Sequence, residues 1–247
     1  MAITLSSLAA SSLAGSQARG PTQVDRAAEA FQKADKRIQQ QRELAAVQLS
    51  SFGKVKSAFA EAQTAAAALS DSRRTAGEAD VRKVAGNFVK AFNSAVQTAR
   101  SAATEPGTPV ESNRARAAET ELRGSRSTDA ALADLRKIGI TQQANGTLAI
   151  DNQVFDAALG ADSGAVRSAL SSVGQGVERT ASAQLADGGN VGKAVNALGE
   201  RAKSLETRQT DQQALAAAAR QTVSAQANRF NDSLNSGAAA YQRVFSL

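Results

Sequence analysis

The sequence predicts a mainly α protein: long terminal helices form an antiparallel coiled-coil stalk, and a small α+β body carries a short β-hairpin. Three observations predict it. A seven-residue apolar repeat runs unbroken from Val24 to Leu69. A looser helical pattern occupies the stretch from about Val191 to the end. The one strand signal, Ile138 to Ile150, is two short apolar runs flanking Asn145-Gly146. Of the 247 residues, 42% are hydrophobic but only 4% aromatic, and alanine supplies much of the apolar content, which suits closely approaching helices in thin layers.

Residues 1–20 are rich in Ser, Ala and Gly and are expected to form a flexible N-terminal export or tail segment. They lack a basic n-region, and Ser6, Ser7, Ser11 and Ser12 interrupt the apolar run, a poor match to a secretory signal peptide. Residues 21–72 form the first coiled-coil helix. Its seam places Val24, Phe31, Ile38, Ala45, Phe52, Phe59 and Ala66 at one core position, and Ala27, Ala34, Gln41, Gln48, Val55, Ala62 and Leu69 at the other. Such a helix is roughly 70 Å long at 1.5 Å per residue, more than one compact core covers. Alanines and two glutamines also make the seam thin, so it is expected to close only inside a larger assembly, with the seam residues of both terminal helices forming the oligomer interface.

Ser70, Asp71, Ser72 and Gly77 mark a break. Residues 80–187 are expected to form the small helical body. A helix from about Asp80 to Ala103 puts Val81, Val84, Phe88, Phe92, Ala95 and Val96 on one face. Thr104 to Val110, with Pro106, Gly107 and Pro109, reads as loop. Helices around Arg114–Arg123 and Asp129–Ile138 lead into the hairpin of residues 138–150, whose Asn145 and Gly146 tolerate positive φ. Asp151 then reads as an N-cap, with Ile150 and Phe155 as a hydrophobic staple and Gly160 closing the helix. A short helix over Ser163–Val173 follows, punctuated by Gly174, Gly176, Gly188, Gly189 and Gly192. Residues 190–247 form the second coiled-coil helix, with Leu198, Leu205, Leu215, Val223, Phe230, Leu234, Tyr241 and Val244 on its seam. Antiparallel pairing with the first helix brings the chain ends together and leaves the body at the far end.

The chain has no Cys, His or Trp. Thiolate and imidazole nucleophiles, bases and metal ligands are therefore excluded, along with disulfides. Ser51-Phe52-Gly53-Lys54 has the S-x-x-K spacing but lacks the companion S-D-N and K-T-G motifs. Gly174-Gln175-Gly176 opens like a dinucleotide loop, yet Arg179 takes the third glycine position and no strand precedes it. The reading is a non-enzyme with no catalytic, cofactor-binding or metal residues. The net charge of +6 is spread among acidic residues with no aromatic stacking platform, which is a solvated helix surface rather than a nucleic-acid site. No apolar run is long enough for membrane insertion.

Three segments carry a family resemblance. Gln48-Leu49-Ser50-Ser51-Phe52-Gly53-Lys54-Val55-Lys56-Ser57-Ala58 resembles the N-terminal helix of the bacterial flagellar filament-cap protein family, also called hook-associated protein 2. Asn87-Phe88-Val89-Lys90-Ala91-Phe92-Asn93 is similar to its F-V-x-x-Y-N segment, with Phe92 in place of tyrosine. Leu135 to Thr141, including Ile138, Gly139 and Ile140, then Asn145, Gly146, Leu148, Ile150 and Asp151, then Phe155 and Leu159, resemble its C-terminal signature. Two departures stand out: Ser70–Asp80 is a bare linker where the family usually inserts β-rich head domains, and Ala2 to Leu8 replaces the usual G-L-x-S-G start. The resemblance implies export through the flagellar secretion channel, aided by an export chaperone, and assembly of several copies at the extracellular distal tip. It also implies partnership with flagellin and other axial proteins. The expected function is a reduced filament cap that assists flagellin incorporation. The alternatives are a hook–filament junction adaptor, a soluble coiled-coil regulator or a phage-like structural protein.

Overall fold

The computed structural model describes residues 23–74, 77–125 and 129–245. The elements in order are α1 (Gln23–Ser70), a 3-10 turn (Asp71–Arg74), α2 (Glu78–Thr104), α3 (Pro109–Gly124), α4 (Asp129–Lys137), β1 (Ile140–Gln142), β2 (Leu148–Ile150), α5 (Asn152–Ala161), α6 (Ser163–Leu185) and α7 (Asn190–Phe245). Two compact units result: Glu43–Lys203, and a second made of the chain up to Arg42 with the chain from Ser204.

The unit of Glu43–Lys203 has one apolar core. Phe52, Val55, Phe59 and Leu69 of α1 share it with Phe88 and Phe92 of α2, Leu122 of α3, Leu135 of α4, Ile140 of β1, Phe155 and Leu159 of α5, Leu170 of α6 and Leu198 of α7. Five of the eight phenylalanines are fully buried here, which offsets the low aromatic content by concentrating it. Phe88 and Phe92, one helical turn apart, lie with ring centroids 6.0 Å apart at 41°. The C-terminal half of the α1 seam is therefore covered within the chain. Apolar periodicity identifies the face to be buried, but it does not say by what.

Helix α6 runs antiparallel to α1. Gln63 Nε2 donates to Ser182 Oγ at 2.7 Å, and Ser171 Oγ donates to the Ser70 carbonyl at 2.7 Å. Ser72 Oγ donates to the Arg167 carbonyl (3.1 Å), and the Arg167 guanidinium returns a bond to the Ser72 carbonyl (2.9 Å). Gly174 and Gly176 do not interrupt this helix, contrary to the sequence expectation; α6 continues to Leu185. A Cβ at Gly174 would lie 2.6 Å from the Ala66 carbonyl oxygen, and one at Gly176 would lie 2.7 Å from that of Ser125. Their role is backbone approach. Gly174→Ala is expected to force α1 and α6 apart and cost about 1–3 kcal/mol, read as a lowered midpoint in thermal denaturation.

Other boundaries differ for local reasons. Pro109 is at the first position of α3, where its missing N–H costs nothing, so the helix starts five residues earlier than Arg114. Gly160 lies inside α5, and Asp162 ends that helix while its side chain caps α6 through Ala165 N at 2.8 Å. Ile138 sits in the turn before β1.

In the second unit, α1 and α7 pair antiparallel. Arg42 bonds Gln209, Phe31 faces Ala216, Ala219 and Val223, and Ala28 lies at the Ser224 level. These apolar residues line an opening of about 330 Å³, the direct result of alanines where a coiled coil ordinarily places leucine.

Candidate functional site

Two features stand out: a hairpin tied to α2, and the exposed apolar face of α7. In the hairpin, Ile140, Thr141 and Gln142 pair antiparallel with Ile150, Ala149 and Leu148. Gln143 N donates to the Thr147 carbonyl (2.9 Å) and Gly146 N to the Gln143 carbonyl (2.8 Å), with Gly146 at φ +80°. This is a three-residue loop, a type I turn closed by a left-handed glycine. Asn145, though tolerant of positive φ, does not adopt it; among the described residues only Gly139 and Gly146 do. The Asn145 side chain instead stiffens the loop, with Oδ1 accepting from Thr147 N at 3.0 Å and from Thr147 Oγ1 at 2.6 Å.

At the other end of the hairpin, Gly139 has φ +77°. A Cβ there would meet the Asp151 carbonyl oxygen at 2.9 Å, and the Gly139 carbonyl accepts from Asp151 N at 2.8 Å. Asp151 Oδ1 accepts from Gln153 N (3.0 Å) and Val154 N (3.1 Å), which caps α5 and directs Phe155 and Leu159 into the core. Asp151→Ala is expected to cost about 1 kcal/mol, seen as a lower midpoint in urea with an unchanged slope.

Helix α2 holds the hairpin in place. Phe88, Val89 and Phe92 are buried, while Asn93 turns toward β2. Its Nδ2 donates to the Leu148 carbonyl and its Oδ1 accepts from Leu148 N, both at 2.7 Å. Two turns further, Arg100 donates to the Asn145 carbonyl at 2.7 Å and pairs with Glu119 of α3, which Arg123 also approaches at 3.5 Å. The F-V-x-x-F-N segment and the hairpin signature, far apart in sequence, thus form one rigid assembly. Arg100 and Glu119 carry no sequence signal beyond ordinary helix charge.

The seam residues separate by environment. Phe52, Val55, Phe59, Leu69, Leu198 and Leu205 are buried within the chain, which corrects their assignment to a surface between copies. Phe31 and Ile38 are half-buried. Leu215, Val223, Phe230, Leu234 and Tyr241 are 60%, 36%, 64%, 55% and 66% exposed. The side chains of Val24 and Val244 lie outside the described residues. Leu44, Val47 and Val110 are also exposed, and no periodicity marks them. Large apolar side chains in register along a helix face are contact surface rather than solvent surface.

Ser51 is buried while Lys54 is exposed, so the S-x-x-K pair shares no site, and Gly174 and Gly176 lie mid-helix rather than in a phosphate loop. Among the described residues no group of three or more His, Cys, Asp or Glu side chains could hold a metal. No described helix is long and apolar enough to cross a membrane.

The family model described as the flagellar hook-associated protein 2 C-terminus matches residues 78–246, from the first residue of α2 through α7. Helix α1 lies before the matched range, so its resemblance to the family's N-terminal helix stands on its own residues. No curated protein and no solved structure matches the chain. With the match spanning over two thirds of its length and containing both the α2 segment and the hairpin it clasps, the chain belongs to the flagellar hook-associated protein 2 family, structural proteins of the bacterial flagellum rather than enzymes.

Proposed function

We propose that this chain is a reduced filament cap: it leaves the cell unfolded through the flagellar export apparatus, assembles with copies of itself at the distal tip, and assists flagellin incorporation there. The observation that carries the reading is the exposed apolar face of α7, Leu215 to Tyr241, in a member of this family. Such a face is stable in water only when something covers it, and a cap works by reversible helix contacts rather than by chemistry. Flagellin and the neighbouring axial proteins are the partners beyond the copies themselves. Deleting the gene should leave hooks intact while flagellin is lost to the medium, and labelled protein should mark filament tips in electron micrographs. Normal filaments in the deletion strain would overturn the reading.

A second reading, a junction adaptor between hook and filament, is favoured by one observation. Ser70 and Glu78 are joined by a short connection, so no inserted domain is available there to close a lumen. Label at the base of the filament instead of its tip would select it.

A further inference from the structure

Helices α1 and α2 leave an open groove of about 690 Å³ between them on the surface of the unit Glu43–Lys203. Small side chains line much of it, among them Ala65 and Ala68 of α1 and Val84 and Ala91 of α2. Walls this low leave room for the larger ridge of a third helix. Joined by a short connection, α1 and α2 run antiparallel, so Ala68 and Val84 lie at the end nearest that connection, with Ser57 and Ser94 at the other. Between these ends Glu61 stands on the α1 wall and Lys90 on the α2 wall. Both are exposed, and neither side chain has a hydrogen-bond or ion-pair partner among the described residues. The groove therefore offers one apolar end and one free charge of each sign, on opposite walls.

Helix α7 carries the complement in the other unit, which takes up the chain again at Ser204. Leu215 is 60% exposed, and Arg208 and Asp211, exposed as well, are also without partners among the described residues. At 100° per residue the three lie within about 60° of one another, with Arg208 to one side of Leu215 and Asp211 to the other. This face stands beside the one that Gln209, Ala216 and Ala219 turn toward α1, so pairing within the chain leaves it open. Laid in the groove parallel to α1, right-handed winding turns Arg208 to the α1 wall and Asp211 to the α2 wall. Leu215 then falls roughly 6–10 Å further along, at the Ala65, Ala68 and Val84 end. The opposite direction would set Arg208 against Lys90 and Asp211 against Glu61, so the charges select one polarity. We propose that the α1–α2 groove of one copy receives the Arg208–Leu215 face of α7 from a second copy, with Arg208 paired to Glu61 and Asp211 to Lys90. The contact is heterologous, so each copy offers its groove to one neighbour and its α7 face to another. It rests on the self-assembly part of the proposed function.

The chain has no cysteine, so single introduced cysteines report the contact directly. Full-length protein carrying Ala68→Cys is mixed with differently tagged protein carrying Leu215→Cys and oxidised. The expected product is a disulfide joining the two tags, in excess over either like-tagged dimer. Glu61→Lys alone and Arg208→Glu alone should each weaken association about fivefold by sedimentation, and one chain carrying both should recover it, whereas Glu61→Lys with Asp211→Lys should not. All these positions are exposed, and circular dichroism checks that each variant is folded. Assembly of the native chain while Ala68→Cys and Leu215→Cys stay unlinked, or a double reversal without recovery, would overturn this contact and leave the cap reading intact. A native chain that stays monomeric at every concentration overturns the contact together with the self-assembly beneath it. Added flagellin that shields Ala68→Cys from alkylation, with no bond to Leu215→Cys, assigns the groove to flagellin instead and overturns the proposal. Normal filaments in the deletion strain remove the cap reading and leave the cross-link result standing.

Discussion

Replacing Phe59 by alanine is expected to destabilise the unit of Glu43–Lys203 by about 4 kcal/mol, a large fraction of what holds a small domain together. The ring is fully buried in a core to which α1, α2, α3, α4, α5, α6 and α7 all contribute. No neighbour can collapse into its space without disturbing several helices at once, so the cavity persists. Urea denaturation of the purified variant reads the loss as a lower midpoint. A change below 1 kcal/mol would mean that the α1 seam at Phe59 is covered only on assembly. Phe230→Ala, at an exposed position, should leave the same midpoint within about 0.5 kcal/mol, so the pair of variants separates core from contact surface.

Asn93→Leu is expected to cost about 3 kcal/mol although it adds apolar surface. The variant leaves the N–H and carbonyl of Leu148, whose residue is 3% exposed, without either of the 2.7 Å partners they have in the native chain. Two buried backbone groups without partners cost more than one isobutyl group returns. Hydrogen exchange locates the effect: the Leu148 amide should exchange much faster, whereas amides of α6, which carries neither of the Asn93 hydrogen-bond partners, should keep their protection as far as global stability allows. Asn93→Asp retains an acceptor for Leu148 N but places a carboxylate against the Leu148 carbonyl. It should fall between the native chain and Asn93→Leu.

The hairpin was the most legible part of the sequence because its signals are local and agree with one another. Asn145-Gly146 forces a turn, Asp151 ends the strand by capping the next helix, and Phe155 supplies the apolar contact at the right offset. Even there, two adjacent turn-prone residues do not reveal which of them takes the left-handed conformation, and it is Gly146 alone. Glycine was the chief source of error elsewhere. A glycine that breaks a helix and one that lets another helix approach look the same in sequence; Gly174 is the second kind because Ala66, more than a hundred residues away, lies against it. Pro109 is ambiguous in the same way, ending helices in general yet opening α3.

The seam shows the limit for the candidate site. The repeat from Val24 to Leu69 correctly marks a continuous helix, but it runs unchanged from Ile38, half-buried, into Phe52, which is sealed in a folded core. Leu44, Val47 and Val110 are exposed apolar residues that no repeat in the sequence marks. Asn93 belonged to a recognised segment, yet its partner at Leu148 could be found only once α2 and the hairpin were packed together.

The amide of Asn93 also acts as a blunt stop to sheet growth. A foreign strand approaching β2 at Leu148 finds both main-chain groups already occupied by a side chain too short to be extended into a further rung. Edge-to-edge stacking of a further strand is thereby discouraged along that flank.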